Sequence, residues 1–217
     1  MTPVILLSDG FLANSSEPWL IPSMSSYPDI NPPIVSGEDP TFGPYKRDPE
    51  RLTRRWAFPG KKGLEHRIGG LEKDYNTGAV SHDPVNHQRM VETRARKVAT
   101  IQNLIPLQEV EGASEGDLLV VSWGGTYGRT LTAVEELREQ GMNISLCHIR
   151  YINPLPSNLA EIFSSFRGIV VCELNLGQMA NYLRMSFQEF AFLQHNKVQG
   201  LPFTVRELKQ NFLELLN

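Results

Sequence analysis

The chain has 217 residues and a mass of 24.5 kDa, enough for one large domain or two small ones with a substantial core. Its hydrophobic content of 41% and charged content of 21% are typical of a globular protein, which excludes a wholly disordered chain. The net charge of −3 argues against a dedicated nucleic-acid or anionic-membrane binder, and no apolar run approaches the length of a membrane span.

The first segment, residues 1–20, contains an apolar run from Val4 to Leu7 that predicts a strand buried on both faces. No sequence neighbour offers it a partner strand. Either it pairs with a later sheet, or it is the last strand of a domain whose remainder is absent from this chain. We prefer the second interpretation. The start of the chain has no basic flank or cleavage site of a signal peptide, so we expect a cytoplasmic protein.

Residues 21–110 are predicted to form an arm and a linker helix. Ten of the fifteen prolines lie in the first 60 residues, which predicts an extended arm or surface wrap there. Residues 46–73 hold nine Lys or Arg against four acids. Two interpretations remain open for this stretch: a solvated loop, or an anion-facing lid for a carboxylate, a diphosphate or coenzyme A.

A helix is predicted to start at Asp83-Pro84, with Asp83 as its N-cap and Pro84 at its first position. Its end is expected before Pro106. One face has residues at helical spacing and the other faces are basic. The spaced set is Val91, Ala95, Val98 and Gln102, and the basic set is Arg89, Arg94, Arg96 and Lys97.

From residue 116 onward, strands alternate with helices. Strands are predicted at 118–123, 143–149 and 168–173, and helices after the first glycine turn up to Gly141, at 157–166, at 177–193 and at 204–216. This alternation predicts a parallel sheet with right-handed crossovers, in a Rossmann- or flavodoxin-like arrangement.

Two motifs follow predicted strands. The run Trp123 to Gly128 stands where backbone N–H groups bind a phosphate at a helix N-terminus, but a tight strand-to-helix turn needs glycine whether or not a ligand is present. The second motif contains Glu173, Asn175 and Gln178 at the end of a strand. These side chains are predicted to form a subunit interface, or Asn175 and Gln178 to cap a helix, rather than to catalyse a reaction.

Residues that bind metals or cofactors are sparse. His66, His82 and His87 form no HExxH or i, i+4 pair, so we predict no metal site. Cys147 and Cys172 are too few for a disulfide framework, a tetrathiolate zinc site or an iron–sulfur cluster. Ser8-Asp9-Gly10 lacks the first glycine of the GDG motif that binds magnesium and thiamine diphosphate, so that reading is rejected, and no catalytic set is complete in this chain.

Several segments, in order, resemble the α subunit of 2-oxoacid:ferredoxin oxidoreductases, particularly the 2-oxoglutarate type. Residues 6–15 look like the last strand and loop of its pyrimidine-binding domain. Residues 66–74 are similar to its H-R-x-T/G-G-L-E-H-D stretch, with Lys73 in place of the usual His, and residues 89–97 match a segment that ends in R-x-R-K. Four further segments resemble its transketolase C-terminal-like domain: 122–126, 151–156, 173–178 and 200–204.

The resemblance implies a fold and a domain order. It implies an α/β, Rossmann-like transketolase C-terminal-type domain with a mostly parallel sheet over residues 111–217. Ahead of it would lie a remnant of a pyrimidine-binding domain at 1–20 and a Pro-rich basic arm with a linker helix at 21–110. The chain would be the C-terminal portion of the subunit.

The resemblance also implies a function. The parent enzyme would oxidatively decarboxylate 2-oxoglutarate to succinyl-CoA, as a cytoplasmic enzyme of anaerobic metabolism. Thiamine diphosphate, magnesium and the iron–sulfur cluster would be bound mainly by the β subunit or by the absent part of the α subunit, with ferredoxin as the electron acceptor. This chain would supply interface and active-site-covering elements and be inactive alone. A free-standing scaffold protein with the same fold remains the alternative.

Three residues are expected to face the substrate. Arg67 is the best candidate for a contact with a substrate carboxylate, because a guanidinium holds a carboxylate in a bidentate manner. A structural salt bridge from Arg67 to Glu65 or Asp74 is the competing interpretation. Asp9 and Asn14, after the first predicted strand, are expected to face the active site.

Overall fold

The computed structural model describes residues 4–16, 18–35 and 38–216, and of Phe11 and Leu12 it describes the backbone alone. Residues 1–3 and 17 of the predicted first segment therefore lie outside the described residues. The chain divides into two compact units, Met1–Lys97 and Val98–Asn217. Within the described part, no helix is both long and apolar enough to cross a membrane.

The first unit contains little regular structure. Its elements are the one-turn helix α1 (Gly10–Asn14), the two-residue strands β1 (Ile34–Val35) and β2 (Trp56–Ala57), which pair in parallel, and the long helix α2 (Pro84–Ala99). Between them the chain turns on aspartate side chains. Asp39, Asp48 and Asp74 each accept a hydrogen bond from a backbone N–H two or three residues further on. The predicted arm is thus a series of tight turns.

The strand predicted at Val4 to Leu7 is wrong for this chain. These residues have no regular structure, and their side chains are 80–92% exposed. A strand needs a neighbour to satisfy its N–H and C=O groups, and among the described residues the later sheet does not pair with this segment. The interpretation that it pairs with that sheet is therefore also wrong, whereas its origin in a pyrimidine-binding domain stays a prediction.

Helix α2 starts as predicted but buries a different face. The Asp83 carboxylate accepts hydrogen bonds from the backbone N–H groups of Val85 and Asn86, so the N-cap is confirmed. The buried side chains are Asn86, Met90 and Thr93, whereas Val91 and Val98 are exposed. The spacing of apolar residues does not identify the buried face of this helix. The Asn86 side chain points inward instead, where it forms hydrogen bonds with the backbone of Lys73 and Tyr75.

The second unit is built on a four-stranded, wholly parallel sheet, as predicted. Its elements, in chain order, are β3 (Gly116–Trp123), α3 (Tyr127–Glu139), β4 (Ile144–Ile149), α4 (Leu159–Ser164), β5 (Phe166–Glu173), α5 (Gln178–Ser186), β6 (Phe192–Asn196) and α6 (Val205–Leu216). The strand order is β4-β3-β5-β6.

Apolar clusters cover both faces of this sheet. One cluster joins α3 and α6 to the sheet through Val134, Leu137 and Phe212, and the other joins α4 and α5 to it through Phe163 and Leu183. Because successive residues of a strand point to opposite faces, the apolar runs in β3 and β5 serve both clusters.

The helix predicted at 177–193 is too long. Helix α5 ends at Ser186, and Phe192–Asn196 is the edge strand β6, which pairs with β5. Residues 187–193 carry no strong break signal, so pairing with an available sheet edge decides their structure over local propensity. The other elements predicted after residue 116 are confirmed, including Gly141, which follows α3 in a left-handed conformation.

Candidate functional site

The carboxyl ends of β3 and β5 form the switch point of the sheet. The chain leaves β3 toward α3 on one face and leaves β5 toward α5 on the other. Open α/β sheets usually bind ligands in the crevice between two such strands. The residues at this crevice are the two motifs that follow the strands, starting at Trp123 and at Glu173.

Glu173 fills the crevice with its own side chain. It is fully buried, and its carboxylate accepts hydrogen bonds from the N–H groups of Met179 (2.8 Å) and Ala180 (2.9 Å) in the first turn of α5. The Trp123 indole donates a third bond at 3.3 Å, which links the two strands. Glu173 therefore caps α5, a role that the sequence analysis gave to Asn175 and Gln178. An interface role for Glu173 stays a prediction.

Asn175 and Gln178 complete the start of α5. The Asn175 side-chain oxygen accepts hydrogen bonds from the N–H groups of Gly177 (2.7 Å) and Gln178 (3.0 Å). Gly177 has a φ of 95°, a left-handed conformation that favours glycine, and a Cβ there would lie 2.4 Å from the end of the Gln194 side chain, which would have to shift. The Gln178 side chain is exposed, so a partner contact by Asn175 and Gln178 stays a prediction.

The glycine turn after β3 leaves an open face. Gly124 has a φ of 58°, which the turn itself requires. A Cβ at Gly125 or Gly128 would meet no atom within 4 Å, so no contact among the described residues requires glycine at those positions. The turn therefore explains the glycine at position 124 but not those at 125 and 128. Phosphate binding by this turn stays a prediction.

A small cavity of about 190 Å³, with a mixed polar and apolar lining, lies beside the ends of β3 and β4 and was not predicted from the sequence. The Ser122 Oγ and His148 Nδ1 atoms are 2.8 Å apart, and the Tyr127 hydroxyl donates to Glu111 at 3.3 Å. Burial and the charge of Arg150 lower the pKa of His148, so its imidazole is neutral at pH 7. The available signal was the position of His148 near the carboxyl end of a strand.

Arg67 lies exposed on a loop of the first unit. Among the described residues it forms no ion pair, so the predicted salt bridge to Glu65 or Asp74 is wrong. The Asp74 carboxylate instead accepts hydrogen bonds from the N–H groups of Asn76 and Thr77. The Arg67 guanidinium is therefore available to a group outside the described chain.

Lys73 fixes the loop that carries Arg67. Its side chain is buried, and its Nζ donates to the carbonyl oxygens of Gly69 and Leu71. The amide of Asn86 donates to the Lys73 carbonyl at 2.9 Å and ties the loop to α2. The substitution noted at position 73 thus places a cation inside the loop, where it orders the backbone after Arg67.

Asp9 and Asn14 share the single turn of α1. The Asp9 carbonyl accepts from the Ala13 N–H, and the Asn14 amide donates to the Gly10 carbonyl at 2.7 Å. Both side chains are exposed. The structure brings these two predicted residues together, and it brings Glu173, Asn175 and Gln178 together at α5, whereas Arg67 stands on its own loop.

The described side chains do not supply the ligands that an iron–sulfur cluster or a magnesium ion would need. Cys147 and Cys172 are buried in the clusters on opposite faces of the sheet, and burial raises the pKa of Cys147 to about 12. Thiols in such settings are inert and do not share a ligand. Within the described ranges, no three His, Cys, Asp or Glu side chains converge to hold a metal ion.

Comparison with known proteins places the chain among oxidoreductase subunits. Residues 116–207 match the model of the pyruvate:ferredoxin oxidoreductase core domain II. The chain is 42% identical to the 2-oxoglutarate oxidoreductase subunit KorA of Mycobacterium tuberculosis, over 95% of this chain and 31% of that protein. It is 31% identical to the α subunit of 2-oxoacid:ferredoxin oxidoreductase 1 of Aeropyrum pernix, over 99% of this chain and 34% of that subunit.

A solved structure shows the same fold. The 2-oxoglutarate:ferredoxin oxidoreductase of Magnetococcus marinus, with 2-oxoglutarate, coenzyme A and succinyl-CoA bound, matches with a TM-score of 0.80 at 24% identity. The match covers 90% of this chain and 34% of that one, and the chain spans about a third of the length of the curated relatives named above. The chain is therefore a homologue of part of the α subunits of 2-oxoacid:ferredoxin oxidoreductases.

Proposed function

We propose that this chain is part of the α subunit of a cytoplasmic, thiamine-diphosphate-dependent 2-oxoglutarate:ferredoxin oxidoreductase. The reaction converts 2-oxoglutarate and coenzyme A to succinyl-CoA and carbon dioxide, and two electrons pass singly to ferredoxin. The observation that carries this proposal is the 42% identity to a 2-oxoglutarate oxidoreductase subunit over 95% of the chain.

The chain's own role is to form an interface and to cover the active site, without being catalytic alone. Both cysteines are buried in the apolar clusters of the sheet, which keeps their thiols from an iron–sulfur cluster. Thiamine diphosphate supplies the carbanion chemistry and the iron–sulfur cluster carries the electrons when they are bound. We place these groups and magnesium mainly on the β subunit and the remainder of the α subunit.

Within this proposal, Arg67 contacts a substrate carboxylate. Its guanidinium is exposed and has no carboxylate partner in the described chain. The buried Lys73 holds the neighbouring loop backbone, which limits the entropy lost when Arg67 engages a ligand. Asp9 and Asn14 are proposed to face the same active site from the turn of α1.

Kinetics of the assembled complex test the role of Arg67. Arg67→Ala should raise KM for 2-oxoglutarate about tenfold or more, because a bidentate charged pair is lost. Arg67→Lys keeps the charge but not the bidentate geometry, so its KM should lie between those of the native enzyme and Arg67→Ala. Arg138→Ala, on the exposed end of α3, is the matched control and should leave KM unchanged. Unchanged kinetics in Arg67→Ala would remove this role.

The alternative is a free-standing scaffold protein that uses the fold only to bind a partner. The exposed side chains of Leu174 and Leu176 beside the start of α5 are compatible with either assignment. Affinity purification from the source cell through a C-terminal tag separates the two. Co-purification of an iron–sulfur β subunit and further α-subunit sequence supports the enzyme, whereas capture without either supports the scaffold.

A further inference from the structure

A cluster of cations surrounds two tyrosines in the first unit. The guanidinium carbon of Arg89 lies 3.4 Å from the centroid of the Tyr75 ring, and that of Arg47 lies 4.2 Å from the same ring. Arg54 lies 4.4 Å from the centroid of Tyr45. Loop and helix residues thus converge: an antiparallel bridge pairs Arg47 with Arg54, and Arg89 comes from α2.

Carboxylates of the described chain lie near these cations without pairing with them: hydrogen bonds from Thr77 and Asn76 and, to a smaller extent, the charge of Arg89 lower the pKa of Asp74. None of Arg47, Arg54, Arg89 and Arg96 forms an ion pair among the described residues. Burial, and to a smaller extent the charges of Arg54 and Arg89, lower the pKa of Arg47. Burial and the charges of Arg54 and Arg47 likewise lower the pKa of Lys97.

Three acidic side chains lie nearby but are engaged elsewhere. Asp48 accepts from the backbone N–H groups of Glu50 and Arg51, and Asp74 accepts from those of the turn after it. Glu92 accepts from the Gln88 amide. The tyrosine rings hold the guanidinium groups by cation–π contacts in place of carboxylates. Arg47 donates to the carbonyls of Tyr45 and Tyr75 and to the Met90 sulfur, and Arg54 donates to the Pro44 carbonyl, so Arg89 and Arg96 offer the most unused N–H donors.

Arg47, Arg89 and Arg96 of this cluster line two clefts that share residues. One cleft, of about 570 Å³, is lined by Tyr75, Arg89, Arg96 and Glu92, and the other, of about 490 Å³, is lined by Tyr45, Arg47, Tyr75 and Arg96. Tyr75 and Arg96 are common to both clefts. A compact ligand at this junction is within reach of guanidinium groups from the loop and from the helix.

We propose that this junction is a binding site for a diphosphate group, either free or as the end of a nucleotide. A planar guanidinium group can donate two parallel hydrogen bonds to phosphate oxygens. Several guanidinium groups together favour an anion with more than one charge over a single carboxylate. The faces of Tyr45 and Tyr75 are already covered by guanidinium groups, so the site recognises charge and does not stack a base. Its concave form and the half-buried Arg47, oriented by the carbonyls of Tyr45 and Tyr75, favour a small anion over an acidic protein surface.

Calorimetric titration of the full chain with inorganic pyrophosphate, orthophosphate and ADP tests this site without any enzyme activity, so it is independent of the proposed function. Pyrophosphate should bind at least tenfold tighter than orthophosphate. ADP binding as tightly as pyrophosphate assigns a nucleotide end, and much weaker ADP binding assigns a free diphosphate. The paired change Arg54→Gln with Arg89→Gln should weaken pyrophosphate binding at least tenfold, while Arg138→Gln changes it less than twofold.

Because Arg54 and Arg89 also pack on the tyrosines, far-UV circular dichroism must show that the paired variant is folded. If it is not, the exposed Arg96→Gln replaces it, with an expected weakening of about threefold. The proposal is overturned if the intact chain does not bind pyrophosphate, or if Arg138→Gln weakens binding as much as the cluster variants. It is also overturned if hexaglutamate binds tighter than pyrophosphate, which would assign the surface to an acidic protein.

Discussion

The two units of this chain are stabilised in different ways. Residues 98–217 bury apolar side chains on both faces of a parallel sheet, whereas in the described part of the first 97 residues the buried apolar side chains are Val35, Leu52, Leu64 and Met90. The first unit depends on aspartate turns, a buried lysine and guanidinium–tyrosine contacts. Apolar packing against the sheet stabilises the second unit. The first unit is stabilised mainly by hydrogen bonds to its backbone and by contacts of charged side chains.

The difference extends to what each unit exposes. Between residues 4 and 30 the first unit exposes large apolar side chains, among them Leu6 at 91%, Trp19 at 75% and Leu20 at 93%. Apolar surface of this extent marks protein–protein contact. It therefore fits the proposal that this unit packs against other parts of an oxidoreductase complex.

The largest expected effect is in the core of the second unit. Phe163 is buried and packs edge-on against Phe187, Phe190 and Phe192, so Phe163→Ala should lower the free energy of unfolding by about 3–5 kcal/mol. Urea denaturation followed by circular dichroism measures the loss. Leu176→Ala, at an 83% exposed position, should cost less than about 0.5 kcal/mol. Equal losses would contradict the assigned core.

The next effect concerns the buried cap at the switch point. Glu173→Gln keeps the shape but replaces one oxygen with a donor that faces backbone N–H groups, so it should cost about 2 kcal/mol. Hydrogen exchange at Met179 and Ala180 should become faster. Gln178→Ala, on the exposed side of the same turn, is the control. An unchanged free energy of unfolding in Glu173→Gln would show that the carboxylate does not hold α5.

Lys73→Met probes the first unit, where the expected effect is local. It removes the Nζ hydrogen bonds to the Gly69 and Leu71 carbonyls, which should lower the free energy of local opening by about 1–2 kcal/mol. Backbone hydrogen exchange at residues 67–73 should therefore become about tenfold faster. Exchange in β3 and β5 should not change. Lys62→Met, at an exposed position in the same unit, is the control. Faster exchange across the sheet would show that the loop supports the second unit as well.

The smallest effect is the titration of His148. Its lowered pKa means that the native state binds fewer protons than the unfolded chain near pH 6, so this contribution to stability falls as the pH drops through the ordinary value of 6.5. NMR titration should place the midpoint below 6.5, and Arg150→Gln should raise it. Arg138→Gln should leave it unchanged. A midpoint at or above 6.5 in the native chain would contradict the buried, neutral imidazole.

The sequence predicts the second unit well because its signals are local and strong. Apolar runs such as Leu118–Val121, glycine stops such as Gly141 and regular alternation together define the sheet. The edge strand β6 was missed because its place depends on pairing with β5, which no local pattern in residues 187–196 reveals.

The sequence predicts the first unit less well because its contacts are polar and distant. The inward face of α2 depends on Asn86 reaching the backbone near Lys73, and the cation cluster depends on Tyr75 meeting Arg47 and Arg89. Composition left an anion-facing stretch at 46–73 as one of two interpretations and did not indicate the tyrosines that contact its arginines. Similarly, the sequence did not indicate that Glu173 caps α5, because this role depends on the turn that brings Met179 and Ala180 to the carboxylate.

The most direct test of the proposed function is viologen reduction by material captured through this chain under argon. With 2-oxoglutarate and coenzyme A both present, we expect reduction of the dye by a complex that contains an iron–sulfur β subunit, and no reduction when either substrate is left out. The isolated 217-residue chain should be inactive. A captured chain that brings down no such partner and reduces no dye would contradict its assignment to a 2-oxoglutarate:ferredoxin oxidoreductase.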